Sequence, residues 1–201
     1  MLFRSTGYSR QTSYRSILVA PHGIRRGIIE RVGREIEHAR AGRYARIQIK
    51  TNHLVDEETI DALYRASKAG VEVDLLVRTF CTIRAGVPGL SENIRVRSIL
   101  GRFLEHSRII YVENDGEPEY LLGSADLMHR NLDRRVEVMV QVTDPTAREH
   151  LREILDLAFA DDVAAWQLRS DDVWTRNPGQ PGKPLRDYQD VLMRRHASRA
   201  Q

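Results

Sequence analysis

The chain has 201 residues, 41% of them hydrophobic and 29% charged, which is an ordinary composition for a globular domain that buries its own core. Its formal net charge of +3 indicates a mild preference for anionic partners and excludes the dense basic surface of a typical nucleic-acid-binding protein. One cysteine, Cys81, excludes an internal disulfide and fits a reducing compartment, and no apolar run reaches the length of a membrane-spanning helix.

The first half of the chain shows the periodicities of alternating strands and helices. Apolar residues recur every four positions from Ile24, acidic residues follow Asp56, and Gly42 and Gly70 mark the predicted helix ends. The predicted elements are, in chain order, a strand at 17–20, a helix at 24–41, a strand at 45–50, a helix at 56–69 and a strand at 71–77. This order implies parallel strands joined by right-handed crossovers.

The second half of the chain is richer in strand-like runs. The predicted elements are a loop at 80–93, strands at 94–99, 108–112, 120–122 and 136–142, a helix at 144–164, a linker or loop at 177–182 and a last helix at 185–195. Together, the two halves predict the α/β fold class, with a mixed β-sheet covered by helices.

Polar side chains collect at the predicted strand ends, where ligands gather in open α/β sheets. Two end the strand at 45–50, one ends the strand at 71–77, two follow the strand at 120–122, and two stand at the start of the strand at 108–112. In that order they are Lys50 and Asn52, Arg78, Ser124 and Asp126, and His106 and Arg108. Cationic, amide, imidazole and hydroxyl groups together form the composition of an oxyanion or phosphate pocket.

Each of these residues also allows a structural interpretation when it is taken alone. Arg78 can pair with Asp74 or Glu72 at the surface, Asp126 can cap the turn in which it lies, and a lone histidine such as His106 is more often structural than catalytic. Chance explains the whole constellation less well. The sequence has no zinc-ligand spacing, so we predict no metal site made by the protein alone, whereas Mg²⁺ that bridges phosphates needs few protein ligands.

Five segments resemble bacterial polyphosphate kinases of the first type. They are Thr6–Tyr8 (TGY), Leu54–Glu57 (LVDE), Gly86–Val96 (GVPGLSENIRV), Arg102–Arg108 (RFLEHSR) and Gly123–Arg135 (GSADLMHRNLDRR). The resemblance runs from about Thr6 to the C-terminal tail and corresponds to the last domain of that enzyme, a phospholipase-D-like unit. It implies an interdomain segment at 1–20, the phospholipase-D-like domain at 21–168, and a C-terminal extension with a short helix at 169–201.

The resemblance implies a reaction and its partners. The family reversibly moves the terminal phosphate of ATP onto polyphosphate, through a phosphohistidine and with Mg²⁺. The expected partners are therefore ATP or ADP, polyphosphate, the upstream domains of the enzyme and, in the full enzyme, further copies of it, without nucleic acid. The expected location is cytoplasmic, with a peripheral association with the inner membrane as a further option.

The resemblance also assigns roles to single residues. His106 resembles the family's second essential histidine, an acid or base beside the transferring phosphate. Arg78 resembles an arginine that binds nucleotide phosphates, and Arg135 resembles one that contacts the phosphorylated centre. The family's phosphate-accepting histidine stands in a His-His-Pro-Tyr context that this sequence lacks. We therefore expect this chain to supply the nucleotide- and phosphate-binding half of an active site.

The sequence departs from the family at four positions and leaves two alternatives open. The family usually has Met, Ser, Gly and Pro at the positions occupied by Thr51, His53, Thr79 and Ala85. One alternative is a noncatalytic polyphosphate-binding module. The other is a dimeric phospholipase-D-like phosphodiesterase, but Asp126 replaces that superfamily's asparagine, and an arginine replaces its lysine two residues after His106, which argues against hydrolysis.

Overall fold

The predicted strands form one mixed sheet in the computed structural model, which describes residues 14–199. The nine strands of this described part are β1 (Ile17–Val19), β2 (Arg46–Thr51), β3 (Glu72–Val77), β4 (Ile94–Ser98), β5 (Arg108–Val112), β6 (Glu119–Gly123), β7 (Val138–Val142), β8 (Trp166–Leu168) and β9 (Trp174–Arg176). The α-helices are α1 (Ile24–Arg40), α2 (Glu57–Lys68), α3 (Pro145–Phe159) and α4 (Tyr188–Arg199). The predicted fold class is confirmed.

The order of strands explains why distant parts of the sequence meet. The sheet runs β1-β7-β6-β5-β2-β3-β4-β8-β9, with β2, β3 and β4 parallel and all other neighbours antiparallel. Thr51 therefore lies beside Val77, and Lys50 lies beside Ile109. The carboxyl ends of β2, β3 and β6 and the amino ends of β5 and β7 share one edge of the sheet, where we expected the site.

Helices cover both faces of the sheet. On one face, α1 and α2 bury Ile28 and Leu63 against alternate strand residues such as Ile47. On the other face, α3 and α4 bury Leu155 and Tyr188 against β3, β5 and β6. Because both faces are covered, even the polar residues Gln48, Lys50 and Thr51 of β2 are buried, and a charge placed there needs a partner.

The starts of α2 and α3 have aspartate caps of unequal strength. Asp56 accepts hydrogen bonds from the backbone N–H and the hydroxyl of Thr59, at 3.0 and 2.7 Å, and pairs with Arg25 Nη2 at 2.7 Å. Asp144 is exposed and accepts only the backbone N–H of Ala147, at 2.8 Å. Both aspartates satisfy helix donors that would otherwise lack partners, but only Asp56 also fixes α1 against α2.

The C-terminal part of the sheet differs from the prediction. Strands β8 and β9 were not predicted, because each has three residues, too few to show a period, and neither has the continuous apolar run that marked the equally short β1. The helix predicted to run to 164 ends at Phe159, since Arg97 Nη1 donates to the carbonyl of Ala160 at 2.9 Å and satisfies the helix end. The last helix spans Tyr188–Arg199 rather than 185–195.

The domain boundaries that we placed after residues 20 and 168 remain predictions. The sheet itself extends beyond both of them, because β1 pairs with β7 and β9 pairs with β8. The Thr6–Tyr8 segment of the family resemblance lies outside the described residues, as does the rest of 1–13.

The unequal caps give a first prediction. Asp56→Ala removes a cap and one partner of Arg25, so we expect the free energy of unfolding to fall by about 2–3 kcal/mol. Asp144→Ala is the matched control, since it removes only an exposed cap, and it should cost about 0.5–1 kcal/mol. Urea unfolding of both variants measures the difference; equal losses would contradict the added role of Arg25.

Candidate phosphate-binding site

The candidate site is organised around the buried carboxylate of Asp126, in the turn after β6. Its side chain is 3% exposed and accepts hydrogen bonds from Asn52 N and Nδ2, at 3.0 and 2.8 Å, and from Thr51 Oγ1, at 3.2 Å. Burial alone would raise the pKa of Asp126, but hydrogen bonds from Arg108, Asn52 and His53 outweigh it and hold the pKa well below its usual range. Asp126 is therefore a fixed negative charge that ties β2 to β6.

Arg108 completes this arrangement from the start of β5. Its Nε and Nη2 atoms donate to the two carboxylate oxygens of Asp126, at 3.1 and 3.3 Å, and its Nη1 atom donates to the carbonyl of His106 at 2.8 Å. The guanidinium is thus engaged on three nitrogens. Arg108 neutralises Asp126 and fixes the backbone of His106, so its position orients the neighbouring histidine.

Lys50 and Arg78 differ in how far their charges are compensated. Lys50 is 2% exposed and pairs with Glu105 at 2.9 Å. Burial lowers the pKa of Lys50, Glu105 opposes that effect, and the cations of Arg108 and Arg78 add to it. Arg78 donates from Nε to Asn52 Oδ1 at 2.9 Å, and its two outer nitrogens have no hydrogen-bond or ion-pair partner among residues 14–199. Arg78 is therefore the cation of this cluster that is available for an anion.

The surface ion pair that would have explained Arg78 structurally is not formed. Asp74 instead binds Arg46 Nη2 at 2.6 Å and Arg95 Nε at 2.7 Å. Glu72 accepts a hydrogen bond from Tyr44 at 3.1 Å. The side chain of Arg78 lies at the carboxyl end of β3 with Asn52, as the strand-end argument predicted.

His106 is exposed in the loop before β5. Within residues 14–199 its imidazole makes no hydrogen bond, although its backbone carbonyl is held by Arg108. Desolvation and the positive charges of Arg108 and Arg78 lower the pKa of His106, and the charge of Asp126 opposes them. The neutral imidazole is therefore favoured, which suits a group that accepts a proton from a bound ligand.

Ser124 and Arg135 stand apart from this cluster. The Ser124 hydroxyl donates to Glu137 and accepts the N–H of Val138 at 3.3 Å, so it fixes the turn after β6. Arg135 follows the π-helical turn Arg130–Arg134, its side chain is exposed, and it makes no ion pair with the described residues. The structure thus joins Lys50, Asn52, Arg78, His106, Arg108 and Asp126, while Ser124 supports their frame, and among residues 14–199 the side chain of Arg135 forms no hydrogen bond or ion pair with them.

The sequence reasoning missed several residues that complete the site. His53 Nδ1 lies 3.2 Å from Asp126 Oδ2, and its ring stacks on Phe80 with centroids 5.6 Å apart. Glu105 is the counter-charge of Lys50. Their positions gave a signal, because His53 follows a strand end and Glu105 precedes His106, but neither residue alone indicated its partner.

An apolar cleft adjoins the charged cluster. Its volume is about 340 Å³, and its walls include Arg78, Arg102 and Phe103. Leu104, another of its lining residues, is 68% exposed and is an uncommonly open apolar side chain. A site lined by both cationic and apolar side chains can accept an anionic ligand that also carries apolar surface.

No ligand set for a metal ion accompanies these residues. Across residues 14–199, no group of three or more histidine, cysteine, aspartate or glutamate side chains is arranged to hold a metal. Nor does any helix of that range have the length and apolar character needed to cross a membrane.

Comparison with known proteins identifies the family. Residues 17–187 match the family model described as "Polyphosphate kinase C-terminal domain 2". The chain belongs to this family. Polyphosphate kinase of Streptomyces coelicolor is 56% identical over 191 residues, and that of Mycobacterium tuberculosis is 55% identical over 203 residues. These matches cover 94% and 98% of this chain but 26% and 27% of the relatives, so this polyphosphate kinase C-terminal domain spans about a quarter of their length.

Solved structures agree on the fold. The crystal structure of polyphosphate kinase from Porphyromonas gingivalis matches with a TM-score of 0.91 and 34% identity, over 98% of this chain and 30% of that one. Nuc from Salmonella typhimurium, a phospholipase D family member, matches with a TM-score of 0.52 and 17% identity over 71% of this chain, which shows the fold alone. The family resemblance and the phospholipase-D-like fold predicted from the sequence are confirmed.

The buried ion pair gives a second prediction. Asp126→Asn leaves Arg108 without its counter-charge, so the free energy of unfolding at neutral pH should fall by about 3 kcal/mol. Because folding depresses the pKa of Asp126, its contribution is present above the ordinary aspartate pKa and is lost as the pH falls below it. The difference in the free energy of unfolding between wild type and variant should therefore become smaller at acid pH.

Urea unfolding over a pH series measures this difference. Asp115→Asn is the matched control, because Asp115 forms an exposed ion pair with Arg43, and its change should stay within about 0.5 kcal/mol. A difference that does not depend on pH would show that the charge of Asp126 is not what stabilises the fold.

Proposed function

We propose that this chain is the nucleotide- and phosphate-binding half of an ATP:polyphosphate phosphotransferase, which reversibly transfers the terminal phosphate of ATP to polyphosphate. The observation that carries the proposal is the contrast among its cations. Lys50 and Arg108 are compensated by Glu105 and Asp126, whereas Arg78 keeps its outer nitrogens available beside an unpaired His106 imidazole. Membership of the polyphosphate kinase family supports the choice of reaction.

In this proposal each residue has a defined task. Arg78 binds oxygens of the nucleotide phosphates with its planar fork of donors. His106 exchanges a proton with the transferring phosphoryl group. Arg108, which is itself held by Asp126, keeps the backbone of His106 in place. Arg135 contacts the phosphoryl group from outside the cluster. The histidine that accepts the phosphoryl group belongs to an upstream domain of the protein, where ADP is released and a terminal polyphosphate oxygen then attacks.

Mg²⁺ enters the proposal with the nucleotide. The nearest carboxylates do not fit a magnesium site, since Asp126 is engaged by Arg108 and Asn52, and Glu105 is engaged by Lys50 and Gln189. The ion is therefore placed on the phosphates of ATP, and none of the steps assigned to this chain depends on a protein ligand for it.

The partners follow from the same reading. They are ATP or ADP, polyphosphate and the upstream polyphosphate kinase domains, with further copies of the full protein and no nucleic acid. The proposed location is cytoplasmic, with peripheral association with the inner membrane as an additional possibility.

The two alternatives gain less support from the site. A dimeric phosphodiesterase needs a free cation two residues after His106, but Arg108 is bound to Asp126. A noncatalytic polyphosphate-binding module would use Arg78 and leave His106 without a task. Its exposed, unpaired imidazole beside Arg78 therefore favours the phosphotransferase.

The role of Arg78 can be tested by binding. Arg78→Ala should weaken the affinity of the chain for inorganic tripolyphosphate about 10- to 100-fold, because charge-assisted hydrogen bonds to phosphate are lost. Isothermal titration calorimetry measures the affinity. Arg65→Ala controls for net charge, because Arg65 is an exposed residue of α2 that has no ion-pair partner among residues 14–199, and it should change affinity less than about threefold. Equal losses for both variants would contradict a site at Arg78.

The role of His106 can be tested by phosphorylation. The chain incubated with ATP and Mg²⁺ should form no acid-labile phosphoprotein, because His106 assists transfer and does not accept the phosphate. In the complete protein, His106→Gln should abolish polyphosphate synthesis while tripolyphosphate affinity changes less than about threefold. Phosphohistidine at His106, or full synthesis by the variant, would overturn this assignment.

A further inference from the structure

The loop that carries His106 has little backbone support of its own. Residues 100–106 connect β4 to β5 and form neither helix nor strand. Within the described part of the chain, none of their backbone groups bonds to another backbone group. The position of His106 must therefore come from side chains that reach the loop from elsewhere.

Gln189, in the first turn of α4, supplies most of that support. Its side-chain oxygen accepts the N–H of Phe103 at 2.7 Å, and its nitrogen donates to the carbonyl of Phe103 at 2.8 Å. Both backbone groups of Phe103 thus pair with one amide, as they would with a neighbouring strand. The residue is 4% exposed, so these bonds are shielded from water.

The loop is shaped to receive this amide. A Cβ atom at Gly101 would lie 2.4 Å from Gln189 Oε1 and 2.6 Å from its Cδ, so a glycine is required for the two to pack. Tyr188, the preceding residue, is 2% exposed and belongs to the core under α3. Gln189 therefore projects from an anchored position.

The start of α4 is itself fixed by hydrogen bonds, partly to the segment between α3 and β8. Asp187 Oδ1 accepts the N–H groups of Gln189 and Asp190, at 2.8 and 3.0 Å, and caps the helix. The backbone of Arg186 pairs with Asp162 and Ala164, at 2.8 and 2.9 Å. The backbone from which the Gln189 side chain projects is therefore fixed independently of its contacts with the loop.

A chain of contacts then leads from Gln189 to the candidate site. Its nitrogen also donates to Glu105 Oε1 at 2.7 Å, and the other oxygen of Glu105 pairs with the buried Lys50 at 2.9 Å. His106 is the next residue, and its carbonyl is held by Arg108 at 2.8 Å. The carboxylate of Glu105 therefore has two partners, one in α4 and one in the central strand β2.

We propose that Gln189 is a positioning residue that fixes the His106 loop against the phosphate site, which makes α4 a working part of that site. The inference rests on the function proposed above for His106 and adds the residue that sets its place. Without the Gln189 amide, the N–H and the carbonyl of Phe103 both lose their hydrogen-bond partner, and Glu105 loses the bond that orients it towards Lys50. Water can satisfy these groups when the loop opens locally, so the domain stays folded.

Hydrogen exchange directly tests this clamp, by which we mean the two hydrogen bonds between the Gln189 side-chain amide and the Phe103 backbone. In the wild-type chain, the Phe103 amide should be protected while its neighbours at 100–102 and 104 exchange freely. Gln189→Met fills a similar volume without hydrogen bonds and should speed exchange at Phe103 at least about tenfold. Gln167→Met on β8, whose side chain has no hydrogen-bond partner among residues 14–199, is the matched control and should leave it unchanged.

Gly101→Ala provides the same test from the loop side, because it expels the amide without changing α4. Protected strand amides in β2 report that each variant is folded. If Phe103 is unprotected in wild type, or keeps its protection in both variants, the clamp is refuted.

The effect on the site is measured by NMR of the His106 imidazole and the Arg78 guanidinium. Inorganic tripolyphosphate should shift both in the wild-type chain, whereas in Gln189→Met and Gly101→Ala the His106 shift should be lost and the Arg78 shift kept. A purely structural role would leave the His106 shift intact and refute positioning. No shift at either residue in the wild type would instead count against the proposed function, while hydrogen exchange still tests the clamp.

Discussion

The ion pair of Asp126 with Arg108 is the interaction on which the site depends. A buried carboxylate is costly unless cations and hydrogen-bond donors surround it, and Asp126 has both. The same bonds join the end of β2, the start of β5 and the turn after β6, so the electrostatic requirement of one residue fixes three elements. Arg108, held in this way, also donates a hydrogen bond to the carbonyl of His106 and so fixes its backbone.

The buried charge of Lys50 also requires a counter-charge, and its partner comes from a more distant part of the fold. Lys50 lies in the middle of a covered sheet and requires Glu105, which comes from the loop rather than from a strand. The backbone of residues 100–106 pairs with no other backbone group in the described part of the chain, so the loop relies on Gln189. Folding of the C-terminal helix and placement of the imidazole are therefore linked through ordinary side-chain bonds, without any strained backbone in between.

These two networks show what the sequence could and could not predict. The gathering of Lys50, Asn52 and Arg78 followed from strand order, because the parallel strands β2 and β3 present their carboxyl ends at one edge. Asp126 joins them because two antiparallel pairings, through β5, bring the end of β6 to the same edge. The contact of Gln189 with Phe103 spans 86 positions of sequence and leaves no local pattern. β8 and β9 were not predicted for a related reason, since such short strands depend on pairing with a neighbour, β4 for β8 and β8 for β9, rather than on their own periodicity. Arg135 was assigned by resemblance alone, and within residues 14–199 its exposed side chain forms no ion pair that supports or contradicts the assignment.

The compensation of charge also bears on reversible chemistry. If Lys50 and Arg108 were uncompensated, the proposed phosphate ligands would meet three strong cations at the strand ends, and products would leave slowly. Because Glu105 and Asp126 neutralise two of them, Arg78 remains as the cation with available donors, beside a histidine whose pKa is lowered. Binding energy that is shared by substrate and product does not speed transfer, so moderate ground-state binding suits a proposed reaction that runs in both directions. On this proposal, the carboxylates of Asp126 and Glu105 would tune the site by limiting how tightly it binds phosphate.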